Sequence, residues 1–103
     1  MQKQISQLVD SLKPYRPEKI ILFGSAASGK AKKGSDLDVL IIKNTRQPFW
    51  ERQKTIAKLL RVNLEVDAFV LTPLEVEKAL KDVQPFIWDI IHEGKIIYEQ
   101  KTG

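Results

Sequence analysis

The sequence predicts a small α/β (α+β) domain built on a small mixed β-sheet, with helices packed mainly on one face. Three observations predict it. Short, continuous apolar runs alternate with longer segments of helical periodicity. Proline and glycine stand at most of the changeovers. The chain has 103 residues, enough for one domain, residues 1–103, with one modest core and no visible repeat or linker. Hydrophobic residues make up 43% and charged residues 29%, a balance that fits a globular protein and leaves no disordered tract.

The elements follow in order. Ile5, Leu8, Val9 and Leu12 recur at helical spacing, so a helix is expected over about 3–12, ended by Pro14 and Pro17. Ile20 to Phe23 read as a strand covered on both faces. The Gly- and Ser-rich segment 24–35 leaves room for one helical turn and a loop, and Asp36 to Ile42 read as the second strand. Phe49, Trp50, Ile56, Ala57, Leu59 and Leu60 support a helix over about 48–61, with Trp50 and Trp88 expected in the core. Leu64 to Leu71 read as a third strand interrupted by Glu65 and Asp67. Thr72-Pro73-Leu74-Glu75 is a helix start: Thr72 caps, Pro73 suits the first position and Glu75 completes a capping box. Pro85 opens a last helix through Ile87 and Ile91, with Gly94 as its stop and Ile96-Ile97-Tyr98 as a short edge strand.

Several function classes fall away. No apolar run approaches the roughly 20 residues that span a membrane, and Met1-Gln2-Lys3-Gln4 leads into no signal-peptide core, so a cytoplasmic location is expected. Without cysteine there are no disulfides or thiolate metal sites, and any metal must use oxygen ligands or His92. His92 itself reads as a surface or cap residue. The net charge of +4 permits contact with nucleic acid or an acidic partner, but the lysines scatter over the whole chain, as on a solvated surface, so direct nucleic-acid binding is left open.

The chemistry concentrates in one motif: Gly24-Ser25 and, ten residues later, Asp36-Leu37-Asp38. Residues two apart on a strand share a face, so Asp36 and Asp38 point together. Aspartate is depleted from strands, and two at the head of Val39-Leu40-Ile41-Ile42 are costly unless paired or metal-bound. Mg²⁺ takes such carboxylate oxygens together with substrate phosphates. Gly24 lets the backbone approach a ligand closely, and the helix start after it, with the Ser25 hydroxyl, favours a phosphate. Asp67 is the preferred third acid because it lies deeper in its strand, although Glu65 shares its face. Gly24-x₄-Gly29-Lys30-Ala31 also approximates a P-loop, but Ala31 lacks the hydroxyl that holds Mg²⁺ and Lys32-Lys33-Gly34-Ser35 leads straight to the next strand.

With Asp67 as third acid, these residues resemble the nucleotidyltransferase superfamily related to DNA polymerase beta, and the order of elements over nearly the whole chain resembles its minimal nucleotidyltransferase branch. The resemblance implies a nucleotidyltransferase-like fold and transfer of AMP from ATP to a hydroxyl. Asp36, Asp38 and Asp67 would be the catalytic and metal-binding acids for two Mg²⁺ ions, with Gly24, Ser25 and Lys30 binding the nucleotide. Many relatives carry arginines after Gly-Ser, where this chain has Ala26 and Ser28. Polyphosphate contact then falls to backbone groups, Ser25 and Lys30. Stand-alone members resemble antitoxins that adenylylate a HEPN ribonuclease toxin, so a helical HEPN-type protein and a hetero-oligomer are the expected partner and assembly. The rival readings are a small-molecule or RNA-end nucleotidyltransferase and a non-catalytic module that covers its partner.

Overall fold

The computed structural model describes residues 2–29, 36–60 and 65–101. The chain runs α1 (Gln2–Leu12), a 3-10 turn (Lys13–Tyr15), β1 (Lys19–Phe23), α2 (Ser25–Ser28), β2 (Leu37–Ile42), α3 (Phe49–Leu59), β3 (Val66–Leu71), α4 (Pro73–Lys81), α5 (Pro85–Glu93) and β4 (Lys95–Glu99). The sheet is mixed, in the order β3-β2-β1-β4. β1 is antiparallel to both β2 and β4, whereas β2 and β3 are parallel and joined through α3.

Helices cover both faces of this sheet, which corrects the expectation of one-sided cover. Leu8 and Leu12 of α1 and Ile56 of α3 pack with Ile20, Leu22, Leu37, Val39, Ile41 and Val70 on one face. Val76 and Ala79 of α4 and Ile87 and Ile90 of α5 pack with Ile21, Leu40 and Ile42 on the other. The reason lies in the strands themselves. β1 and β2 are apolar at odd and even positions alike, and leaving Ile21, Leu40 and Ile42 in water would forfeit roughly 1.5–3 kcal/mol each.

The buried stripe of α3 is Arg52 and Ile56, so Phe49 and Trp50 point outward. Trp50 is 60% exposed beneath the Lys54 ammonium, and Trp88 is 42% exposed and stacked on His92. Neither tryptophan is core. Their spacing marks a helical face but not the side it turns to.

Arg52 is the buried charge that joins α3, β3 and α4. Its Nε donates to the Gln47 carbonyl (2.8 Å), and its Nη1 donates to the Val70 carbonyl (3.0 Å) and to Glu75 Oε1 (2.6 Å). Glu75 also closes the capping box with Thr72. Burial alone would raise the Glu75 pKa, but hydrogen bonds from Arg52 and Thr72 outweigh it and hold the carboxyl below its usual range. Gln53 Nε2 donates to the Ala68 carbonyl (2.9 Å), so Arg52 and Gln53 together cover outward-facing carbonyls of the edge strand β3. Such groups would otherwise offer a template for another chain.

Gly94 ends α5, but for lack of space and not for a left-handed turn. Its backbone is extended (φ −70°, ψ 165°), and a Cβ there would collide with the Ile90 carbonyl and the Ile21 side chain. A left-handed residue does follow α4: Val83 (φ 50°). Val83 N–H donates to the Leu80 carbonyl (3.2 Å) and Gln84 N–H to the Ala79 carbonyl (3.0 Å), a Schellman ending with valine where glycine is usual. Val83 is 65% exposed, so little packing offsets the strain. Val83→Gly should therefore stabilise the fold by about 1 kcal/mol, a gain of a few degrees in Tm readable by thermal denaturation.

Candidate active site

One row across three strands forms the site. Phe23 of β1 pairs with Asp38 of β2, which pairs with Asp67 of β3. The central strand therefore sets one acid directly beside the other, on the sheet face that carries α4 and α5. Burial raises the Asp38 pKa, the charges of Asp67 and Asp36 raise it further, and a hydrogen bond with Asp67 adds to the effect. Asp36 is exposed immediately before β2 and acts on Asp38 through its charge. Glu65 lies before β3, where its backbone carbonyl accepts from the Leu37 N–H (3.0 Å), and the strand register sets Asp67 opposite Asp38. Asp67 is thus the acid that stands against Asp38.

Gly24 closes the row from behind. Its backbone (φ 74°, ψ −154°) lies where glycine alone is comfortable, and a Cβ would stand 2.5 Å from Asp38 Oδ2. The same glycine begins α2, its carbonyl accepting from the Ala27 and Ser28 N–H groups (3.2 Å each). Ser25 is exposed on that turn, and its carbonyl accepts from Ser28 Oγ (3.1 Å). Lys30, Ala31, Lys32 and Lys33 lie outside the described residues. The P-loop alternative fails on topology. A P-loop runs from strand through loop into the helix after Gly-Lys, whereas here the single turn of α2 lies inside the Gly24–Gly29 interval and β1 pairs antiparallel with β2.

Two clefts meet at the Phe23 and Phe86 rings, which touch edge to face (5.6 Å). One, of about 300 Å³, lies between the Gly24–Ser28 turn and α5 and is lined by Asp89 and Glu93. The other, of about 490 Å³, holds Asp38 and Asp67 at its polar end, with Gln53 and the rings of Phe23, Phe49, Phe69 and Phe86 as walls. Sequence reasoning missed Gln53, Asp89, Glu93 and this aromatic wall. The only available signal was the i, i+4 spacing of Asp89 and Glu93 on one helix face.

Magnesium fits the donor chemistry. The acids offer carboxylate oxygens, and among the described residues no Lys or Arg forms an ion pair with Asp36, Asp38 or Asp67. Two carboxylates held together without a counter-charge call for a cation. Among the described residues no three metal-binding side chains gather into a preformed cage; Asp38 and Asp67 are the converged pair.

Comparison with known proteins gives the family. The model of the family described as "Polymerase beta, Nucleotidyltransferase" matches residues 3–103. The chain belongs to this nucleotidyltransferase family. Two proteins of Methanocaldococcus jannaschii, each named "Putative protein adenylyltransferase", are similar to it. One is 33% identical over 87 residues, covering 79% of this chain and 58% of the relative. The other is 30% identical over 79 residues, covering 77% and 79%. The nucleotidyltransferase chain thus spans little more than half the length of the first relative. Among solved structures, a "putative nucleotidyltransferase" from Sulfolobus solfataricus shares the fold with TM-score 0.69 and 17% identity, over 99% of this chain and 86% of that one. A chain of a crystal structure described as a toxin-antitoxin with AMP-PNP does so with TM-score 0.53 and 19% identity, over 94% and 74%.

The raised Asp38 pKa has a consequence for stability. An acid whose folded pKa lies above its unfolded value stabilises the fold below the unfolded pKa, and loses that contribution as pH rises through the folded pKa. At neutral pH, ionised Asp38 therefore opposes folding. In metal-free buffer Asp38→Asn should melt a few degrees above the wild type at pH 7, its amide donating to Asp67. The advantage should shrink as both proteins are acidified through the Asp38 titration. Thermal melts of the two proteins across pH check both the sign and the window.

Proposed function

We propose that the chain transfers AMP from ATP to a hydroxyl of a partner protein, releasing pyrophosphate. The single observation that carries this reading is the Asp38–Asp67 pair backed by Gly24, in a chain of the nucleotidyltransferase family. Asp36, Asp38 and Asp67 would hold two Mg²⁺ ions. When bound, these would neutralise the acids and the triphosphate and supply Lewis-acid stabilisation of the charge that develops in the displacement. Neither cleft is lined by Lys or Arg among the described residues, which supports a role for bound cations in neutralising the triphosphate.

Gly24, the Ser25 hydroxyl and Lys30 would anchor the nucleotide. Asp67 would orient the acceptor hydroxyl and take its proton while the hydroxyl oxygen attacks the α-phosphorus and the bond to pyrophosphate breaks. The catalytic set is therefore Asp36, Asp38 and Asp67. The preferred partner is a HEPN-type helical toxin in a hetero-oligomer, with this chain as antitoxin. The fold shared with the toxin-antitoxin structure holding AMP-PNP and the two adenylyltransferase-named relatives support this choice. A cytoplasmic location is part of this proposal, since ATP is available there; among the described residues no helix is long and apolar enough to cross a membrane.

Mixed with its partner, Mg²⁺ and α-labelled ATP, the wild type should leave labelled AMP on the partner. Asp38→Asn should abolish labelling by at least a hundredfold without loss of folding. Silencing of the partner without any label would instead favour the covering module. Nucleotide binding separates the anchors. Ser25→Ala removes a hydrogen bond to a charged ligand, about 1.5–3 kcal/mol and roughly tenfold or more in affinity. Lys30→Ala removes a loop charge worth about 1 kcal/mol or less, a few-fold. A dead Lys30→Ala beside a healthy Ser25→Ala would overturn this assignment.

A further inference from the structure

The smaller cleft, between the Gly24–Ser28 turn and α5, encloses about 300 Å³, the lower end of the size at which small molecules bind. The side chains that make its wall polar all present acceptors. Asp89 and Glu93 stand one turn apart on α5, and among the described residues neither forms an ion pair. Ser28 Oγ gives its proton to the Ser25 carbonyl (3.1 Å), which leaves its oxygen to accept. Phe23, Ile90 and Phe86 make the rest of the wall apolar. Gly24 is shared between two neighbourhoods: it lines this cleft, and its backbone lies against the Asp38 carboxylate.

Such a wall sorts the parts of a nucleoside triphosphate. Phosphate oxygens are negatively charged acceptors, so Asp89 and Glu93 repel them, and two acids without a third metal-binding side chain form no cation cage here. The nucleoside is uncharged and brings the donors. Its ribose 2′- and 3′-hydroxyls sit on neighbouring carbons whatever the base, and a hydroxyl donating to a carboxylate makes a strong, charge-assisted hydrogen bond. Dinucleotide-binding folds use an acid on the ribose in the same way. The flat base then meets Phe86, and stacking on an aromatic ring tolerates any base.

The geometry points to this cleft as the seat of the donor nucleoside, with Asp89 and Glu93 as specificity-determining residues that accept the ribose hydroxyls and select ribonucleotides over deoxyribonucleotides. This rests on the nucleotidyl-transfer reading and deepens it by assigning the sugar. A nucleotide held at the Gly24 turn then has its phosphates toward Asp38 and its nucleoside toward α5. The second cleft, at Asp67, is left open for the acceptor.

Nucleotide affinity, measured by calorimetry in the presence of Mg²⁺, tests the assignment. The wild type should bind ATP about tenfold more tightly than 2′-deoxy-ATP or 3′-deoxy-ATP. CTP should be preferred over 2′-deoxy-CTP by a similar ratio, because the sugar and not the base is read. The double variant Asp89→Ala with Glu93→Ala alters two exposed helix positions that alanine suits, so its fold should hold. It should bind ATP and both deoxy analogues within about twofold of one another, whereas Phe86→Ala should weaken all three alike. Equal affinity of the wild type for ATP and its deoxy analogues overturns the proposal, as does a double variant that keeps the wild-type ratios. Either result leaves the nucleotidyl-transfer reading standing if labelled AMP still reaches the partner. Absence of any nucleotide binding overturns that reading, and this one with it.

Discussion

The pairing of β2 with a neighbour on each side is the constraint on which the rest of this structure depends. Because β1 runs antiparallel to β2 and β3 parallel to it, one row of the ladder carries Phe23, Asp38 and Asp67. A slip of one residue would turn Asp38 to the opposite face and bury it against α1, since side chains alternate along a strand. Val39 and Ile41 are buried on one face and Leu40 on the other, so the apolar residues suit either face, and what opposes the slip is the cost of burying the Asp38 carboxylate without a partner.

The row is electrostatically opposed to folding. Asp38 and Asp67 repel, Asp36 adds to the field, and partial burial of Asp38 removes some of the water that would screen its charge, while Asp36 and Asp67 stay exposed. The fold carries this burden because the surrounding core is buried at both faces and because Arg52 secures the edge beyond it, with a side chain only 7% exposed and bonded to Gln47, Val70 and Glu75. Two charge clusters lie toward opposite ends of β3: the acids at Asp67, with no ion pair among the described residues, and the satisfied Arg52–Glu75 pair at Val70 and Thr72. One is arranged for stability and the other for binding a cation.

The aromatic wall gives the acids a low-dielectric neighbour. Phe23 and Phe86 meet edge to face and separate the cleft at the Gly24 turn from the cleft at Asp67. Charges next to apolar walls interact more strongly than charges in water, which sharpens the demand for a bound cation and for a hydroxyl placed at one point.

The sequence by itself determined the element order and the capping box of Thr72 and Glu75. These follow from local rules: strand alternation, helix periodicity and the hydrogen bonds of a helix start. It also singled out Asp67 in β3, because an acid within an apolar strand stands out against its neighbours. Only the tertiary structure decided that Asp67, and not Glu65, lies against Asp38, since strand register is a property of two segments far apart in the chain. It decided as well that helices cover both faces, that Trp50 and Trp88 point outward, and that Gly94 is a glycine for space. Gln53 and the phenylalanine wall were illegible for the same reason. Periodicity names an apolar stripe, but whether that stripe meets a core or a cleft depends on what the fold brings opposite it.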